Sequence, residues 1–229
     1  MKIDKYISQH TNCSVRQALL LLNDKKVTLN KKTAKYNAIV NKRDIVEING
    51  VAVIEKQFIP TYIAYHKPKG IVCTSEKIEH NIIEAVKHPE NIYPIGRLDK
   101  DSEGLILLTN ITGLIDKIAN PKFEHEKEYL VTLNLPITEK FISDIKKGVN
   151  IGGGITTQPC EAFIEPNTKR VFRIILKQGL NRQIRKMCNK YKYQILKLQR
   201  VRVMQITLDS LKMGEWRDLT SDEISLLLK

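Results

Sequence analysis

The sequence predicts an α+β protein in two parts, the larger carrying a mixed, largely antiparallel sheet flanked by helices. Three observations lead there. Strand-like and helix-like segments follow one another without the regular rhythm of a βαβ protein. The stretch EKQFIPTY at 55–62 sets a proline between two apolar segments, which marks a boundary and divides the chain into 1–58 and 59–229. The first 58 residues also have a composition of their own, with 11 Lys or Arg against 5 acids.

Taken in order, SVRQALLLLND at 14–24 reads as a short helix. Ser14 N-caps it, Gln17 completes a capping box three residues on, and Ala18, Leu19 and Leu22 share one face, leaving Arg16 exposed. VTLN at 27–30 and DIVEIN at 44–49 read as short strands around a basic loop. Past the boundary, YIAYHKPKGIVCT at 62–74 reads as strand, turn at Pro68 to Gly70, and strand. LILLT at 105–109, YLVTL at 129–133 and VFRIIL at 171–176 read as further strands, the first apolar enough to be buried on both faces. Helices are predicted near 81–88, 112–119, 138–147, 181–190 and 221–228.

Composition narrows the function. With 229 residues, 42% of them hydrophobic, the chain can bury a sizeable core. A formal charge of +13 calls for a polyanionic partner such as nucleic acid, anionic membrane or ribosome. MKIDKYISQH carries no apolar signal region and no stretch approaches the roughly 20 apolar residues of a membrane span, so a cytoplasmic location and no membrane partner are expected. Cys13, Cys73, Cys160 and Cys188 lie far apart without CxxC spacing and read as reduced structural thiols. The five histidines form no HExxH pair, and neither a Walker loop nor a GxGxxG turn is present. No metal and no cofactor is expected.

Three segments place polar residues beside apolar runs. In GRLDKDSEGLILLTN at 96–110, Arg97 and Asp99 sit in a loop feeding a buried strand, where a carboxylate would be held rigidly; the same charges also suit an ordinary solvated turn. In GLNRQIRKMCNKYK at 179–192, Asn181 is placed to N-cap a helix with a core face of Leu180, Ile184, Met187 and Cys188, leaving Arg182, Arg185, Lys186 and Asn189 outside. From Lys177 to Leu208 there are nine Lys or Arg and no acid, a candidate phosphate-contacting surface, with an exposed basic helix of no function as the alternative. In HEKEYLVTL at 125–133, Tyr129 opens a strand, a position that also suits simple packing.

GRLDKDSEGLILLTN is similar to the GRLDxxTxGLLLLTN signature of the RsuA, RluB, RluE and RluF family of bacterial ribosomal RNA pseudouridine synthases. GLNRQIRKM and KEYLVT resemble the family's later motifs in the same order, and the likeness extends through KPKGIVCT at 67–74 and GEWRDLT at 214–220. The pattern looks most like the RluF type. Residues 1–58 resemble an S4 RNA-binding domain through CSVRQALLLLNDKKVTLNKK at 13–32. Ser102 stands where the family has Thr, Ile111 and Thr112 replace a polar pair, and Lys31 stands where the S4 pattern has Gly.

The resemblance implies a pseudouridine synthase catalytic domain that isomerises a uridine of ribosomal RNA, 23S RNA being the expected partner and transfer RNA a second candidate; a monomer is the default expectation for an enzyme that meets so large a substrate. It implies that Asp99 is the essential carboxylate, acting as nucleophile on the sugar or as a base at C2′. It further implies that Arg185 pairs with Asp99, Tyr129 stacks on the flipped base, Arg97 fills the vacated space or holds a phosphate, and Leu180 lines the pocket. Arg16, Lys25, Lys26, Lys31 and Lys32 of the first domain, with Arg182 and Lys186 of the second, are expected to dock RNA. The rival is a noncatalytic S4-type RNA-binding or ribosome-assembly factor. A methyltransferase or nucleotide hydrolase would need a glycine-rich ligand loop that the sequence lacks.

Overall fold

The computed structural model describes residues 1–11, 13–55, 58–76 and 78–228. The chain divides into two compact units, Met1–Pro60 and Thr61–Lys229. No helix among the described residues is long and apolar enough to cross a membrane.

The first unit packs α1 (Ile3–His10) and α2 (Val15–Asn23) on a four-stranded antiparallel sheet. That sheet has the order β2 (Lys32–Thr33), β1 (Val27–Leu29), β3 (Val46–Ile48), β4 (Val51–Ala52). The capping box at α2 is present: Gln17 N–H donates to Ser14 Oγ at 3.2 Å and Ser14 N–H donates to Gln17 Oε1 at 2.8 Å. Its buried face is narrower than predicted. Ala18 and Leu22 are buried against Ile3, Tyr6 and Ile7, whereas Leu19 is 41% exposed, because only the i, i+4 pair faces this small core. β1 turns into β2 through Asn30 at φ 51° and Lys31 at φ 63°. This left-handed pair suits the twist of a hairpin and explains why glycine fits the second position.

The second unit is built on a nine-stranded sheet. Its main path runs β13 (Trp216–Asp218), β5 (Tyr62–Lys67), β7 (Glu103–Thr109), β11 (Ile195–Val203), β8 (Lys127–Leu133), β10 (Val171–Leu176), β9 (Glu161–Ile164). β6 (Tyr93–Ile95) pairs with β7, and β12 (Ile206–Thr207) with β11. Every pairing is antiparallel except β7 with β11. β7 is buried along its whole length, with Leu105 to Leu108 at most 1% exposed; each such side chain contributes about 1.5–3 kcal/mol of transfer free energy.

Among the described residues, five α-helices accompany the sheet: α3 (Ile82–Val86), α4 (Thr112–Ala119), α5 (Glu139–Lys147), α6 (Gln183–Lys190) and α7 (Ser221–Leu228). Thr138 caps α5 through its hydroxyl, which accepts from Phe141 N–H at 3.2 Å. Phe141 then packs edge-on to Phe172 at 5.5 Å in a core shared by α5, α6 and strands β8 to β11.

Two local expectations are corrected. The second strand expected within 62–74 does not form; only Val72 makes a bridge, to Asn81. The buried Lys67 ammonium donates to Pro68 O and Ile71 O, both at 2.9 Å, and holds this segment as a closed turn. Asn181 does not cap α6 either. The cap residue is Arg182, in left-handed backbone without a side-chain cap bond. Gln183, not Leu180, completes the buried face with Ile184, Met187 and Cys188. All four cysteines are free thiols, and burial pushes that of Cys188 up to about 12.

Candidate active site

The loop between β6 and β7 carries Asp99, and three contacts pin it. Leu98 is buried with its N–H 3.4 Å from Cys73 Sγ, Ser102 N–H donates to Asp99 O at 3.0 Å, and Gly70 N–H donates to Lys100 O at 2.8 Å. The Lys67 turn is thus fastened against the Asp99 turn. Behind them Arg200 of β11, 3% exposed, donates from Nε to Leu105 O at 2.7 Å and from a terminal nitrogen to Arg97 O at 3.5 Å.

This loop forms one wall of a cleft of about 320 Å3. Arg97, Asp99 and Ser102 enter from the loop, Tyr129 from β8 and Leu198 from β11. The opposite wall is the segment from Leu176 through Leu180 to Arg185, running from the end of β10 into α6. Of the residues expected at the reaction site, Asp99, Arg97, Tyr129, Leu180 and Arg185 all line the cleft, as does Arg182. Lys186 is exposed on α6. Arg16, Lys25, Lys26, Lys31 and Lys32 are exposed on the first unit, with Lys26 3.2 Å from Asp24.

The electrostatic pattern differs from a single Asp99–Arg185 pair. The Asp99 side chain is 32% exposed and lies 3.9 Å from Arg185 Nε and 3.7 Å from Arg182, ion-pair separations too long for hydrogen bonds. Both guanidinium groups bind Asp101 more closely. Arg182 reaches both Asp101 oxygens at 3.3 Å, and Arg185 reaches one of them at 3.3 Å. Arg185 also donates to Asp101 O at 3.1 Å and Ser102 Oγ at 3.0 Å. Burial alone raises the Asp101 carboxyl, but the Arg182 hydrogen bond and the Arg185 and Arg182 charges outweigh it and hold the group below the usual carboxylate range. Asp101 is not among the residues that the family motif singles out; its place two residues after Asp99, on the same turn, is the one sequence signal for it.

The basic run from Lys177 to Leu208 also needs correction as a free cationic surface. Lys197 pairs with Glu103 at 3.0 Å, Arg202 pairs with Glu126 and Glu128, Arg182 and Arg185 face the two aspartates, and Arg200 is buried. Acids from neighbouring strands neutralise what the one-dimensional run left uncompensated. Lys177, Lys186, Lys190 and Lys192 remain exposed.

Comparison with known proteins agrees with this architecture. The sequence model of the RNA pseudouridylate synthase family matches residues 61–190. The dual-specificity RNA pseudouridine synthase RluF of Escherichia coli (strain K12) is 45% identical over 231 residues, spanning 100% of this chain and 79% of that protein. The ribosomal large subunit pseudouridine synthase B of Bacillus subtilis (strain 168) is 28% identical, over 99% of this chain and 95% of that one. A crystal structure of a pseudouridylate synthase superposes with a TM-score of 0.70 at 27% identity, covering 99% of both chains. On sequence over its full length and on fold, this chain belongs to the RNA pseudouridylate synthase family.

Proposed function

We propose that this enzyme isomerises one specific uridine of 23S ribosomal RNA to pseudouridine in the cleft around Asp99. The observation that carries the reading is the position of Asp99, half-buried on a pinned turn inside the cleft that Tyr129, Leu180 and Arg185 also line. The names of the relatives in Escherichia coli and Bacillus subtilis support an RNA substrate, and the latter's a large-subunit one.

The target nucleotide leaves its stack, at an unstacking cost of a few kcal/mol, and enters the cleft. Tyr129 stacks on the uracil and Leu180 closes its apolar edge. The Asp99 carboxylate acts at the ribose, on C1′ as nucleophile or on the C2′ proton as base, and the C1′–N1 bond breaks. The base turns, C5 bonds to C1′ as the Asp99–C1′ bond breaks or as C2′ regains its proton, the C5 proton leaves and N1 gains one, so no cofactor enters the balance. Arg185 keeps Asp99 oriented from the α6 side, and Arg97 at the exposed rim fills the space left in the RNA or holds a phosphate.

Arg182 and Lys186 at the start of α6 contact the RNA backbone. The first unit acts as an S4-type RNA-binding domain, with Arg16, Lys25, Lys26, Lys31 and Lys32 supplying salt-sensitive affinity. The test is pseudouridine mapping of ribosomal and transfer RNA from cells lacking this gene, complemented with wild type or with Asp99→Asn. Loss of one large-subunit site, restored only by wild type, is expected. An unchanged map would overturn the proposal in favour of a noncatalytic RNA-binding factor.

A further inference from the structure

Among the described residues, three that line the cleft each carry a buried donor nitrogen with no hydrogen-bond partner within the protein: Nε2 of Gln178, Nε2 of Gln183 and Nε of Arg185. A buried donor without an acceptor destabilises the state that holds it. Arg185 Nε faces the Asp99 carboxylate at 3.9 Å, so a small closure satisfies it. The two glutamine amides face no acceptor of the protein.

The orientation of the Gln183 amide follows from chemistry. Leu180 N–H is a donor only, so the Gln183 atom 3.1 Å from it is the carbonyl Oε1, and Nε2 points away from that bond. Gln183 is 4% exposed, so the chain buries a fixed donor at the reaction cleft. Gln178 stands two residues past Leu176 on the same wall. Leu176, Leu180 and Leu198 give this part of the lining shape but no polar selectivity.

We propose that the side-chain amides of Gln178 and Gln183 bind the two carbonyl oxygens of the extruded uracil and so select uracil over cytosine. The inference rests on the pseudouridine synthase reading above. Uracil presents O2 and O4 as acceptors on either side of N3, whereas cytosine carries an amino group in place of O4 and sets donor against donor. The isomerisation adds a second reason. A half-turn of uracil about the line through N3 and C6 exchanges N1 with C5 and, at the same time, O2 with O4. Two donors that serve the carbonyls of the substrate therefore serve them again after the turn, and the detached base keeps its hydrogen bonds at both ends of the rotation.

The test compares wild type, Gln178→Met and Gln183→Glu in the full-length protein. The substrate is a short ribosomal RNA hairpin containing the uridine that wild type converts, and a matched hairpin carries cytidine there. Gln178→Met removes a donor at similar volume; Gln183→Glu keeps the oxygen that binds Leu180 N–H and replaces the donor with an acceptor. For each variant, kcat/KM is expected to fall and the cytidine-to-uridine ratio of Kd values to shrink by about ten- to a hundredfold. Should Gln183→Glu melt early, Gln178→Met decides alone. Wild-type kcat/KM together with a wild-type binding ratio in Gln178→Met would overturn the inference. A wild-type enzyme that converts no uridine in ribosomal RNA would instead remove the reading on which it rests.

Discussion

A Cβ on Gly104 would lie 2.2 Å from the main-chain oxygen of Arg200 and 2.5 Å from its nitrogen, with Gly104 at φ 109°. The parallel contact of β7 and β11 therefore exists only because residue 104 has no side chain. Gly104→Ala is expected to destabilise by about 3 kcal/mol or more, a fall of roughly 10 °C in Tm. Activity should fall with it, since displacing Arg200 loosens its bond to Arg97 O behind the Asp99 turn. Thermal denaturation checks this, and an unchanged Tm would mean that the two strands separate there without cost.

Asp99→Asn is expected to reduce turnover by about a thousandfold or more while RNA binding stays close to wild type. Folding should be nearly untouched, because this side chain is 32% exposed and its cations lie 3.7 and 3.9 Å away. Pseudouridine formation, RNA titration and a melt on the same preparation separate the three effects. Substantial product from the variant would remove Asp99 from the chemistry.

Arg185→Lys retains the charge and loses the fork. One guanidinium binds Ser102 Oγ and Asp101 O while turning Nε toward Asp99, and an ammonium cannot reproduce those directions together. The expected result is a fall in kcat of about a hundredfold with a smaller change in KM, read by single-turnover kinetics.

Lys127 makes stability depend on pH in an unusual direction. Burial, aided by the Arg200 charge, lowers its ammonium to about 8. Between pH 8 and the ordinary lysine range the unfolded chain therefore binds more protons than the folded one, and this group's contribution to stability rises with pH. Below pH 8 both states are charged and the full penalty of burying the cation persists. Lys127→Met is expected to raise Tm at pH 7, and its advantage over wild type should shrink as pH rises from 8 to 10. An equal gain at both ends would show that the effect is packing rather than charge.

Lys31 occupies left-handed backbone at φ 63° on the exposed β1–β2 turn. Lys31→Gly is expected to stabilise the first unit by about 0.5–1 kcal/mol by relieving that conformation. The same change removes one cation, so RNA affinity should weaken and the slope of log K against log salt should drop by about one. Denaturant unfolding and RNA titration at several salt concentrations read the opposite signs. Tighter folding with unchanged salt dependence would place the RNA elsewhere.

What could be read in advance was local. The capping box of Ser14 and Gln17, the apolar run of β7 and the alternation of β10 depend on residues a few positions apart, and their elements lie within a residue or two of expectation. β11 carries no strand signal of its own, because ILKLQRVRV reads as a basic stretch. It is a central strand because Lys197 finds Glu103 on β7 and Arg202 finds Glu126 and Glu128 beside β8.

The fold class, the family signature and a loop carrying Asp99 at the mouth of a buried strand are legible in the chain alone, since these are written in short-range pattern. Which charges meet is set by the packed fold. It placed Asp101 nearer to Arg182 and Arg185 than Asp99 is, put Gln183 in the α6 core in place of Leu180, and left the amide nitrogens of Gln178 and Gln183 buried without a protein partner. Such pairings are set by distances of a few ångströms between segments far apart in sequence, and ion pairs and hydrogen bonds change with each ångström, so they emerge only once the sheet, α6 and the Asp99 turn are packed together.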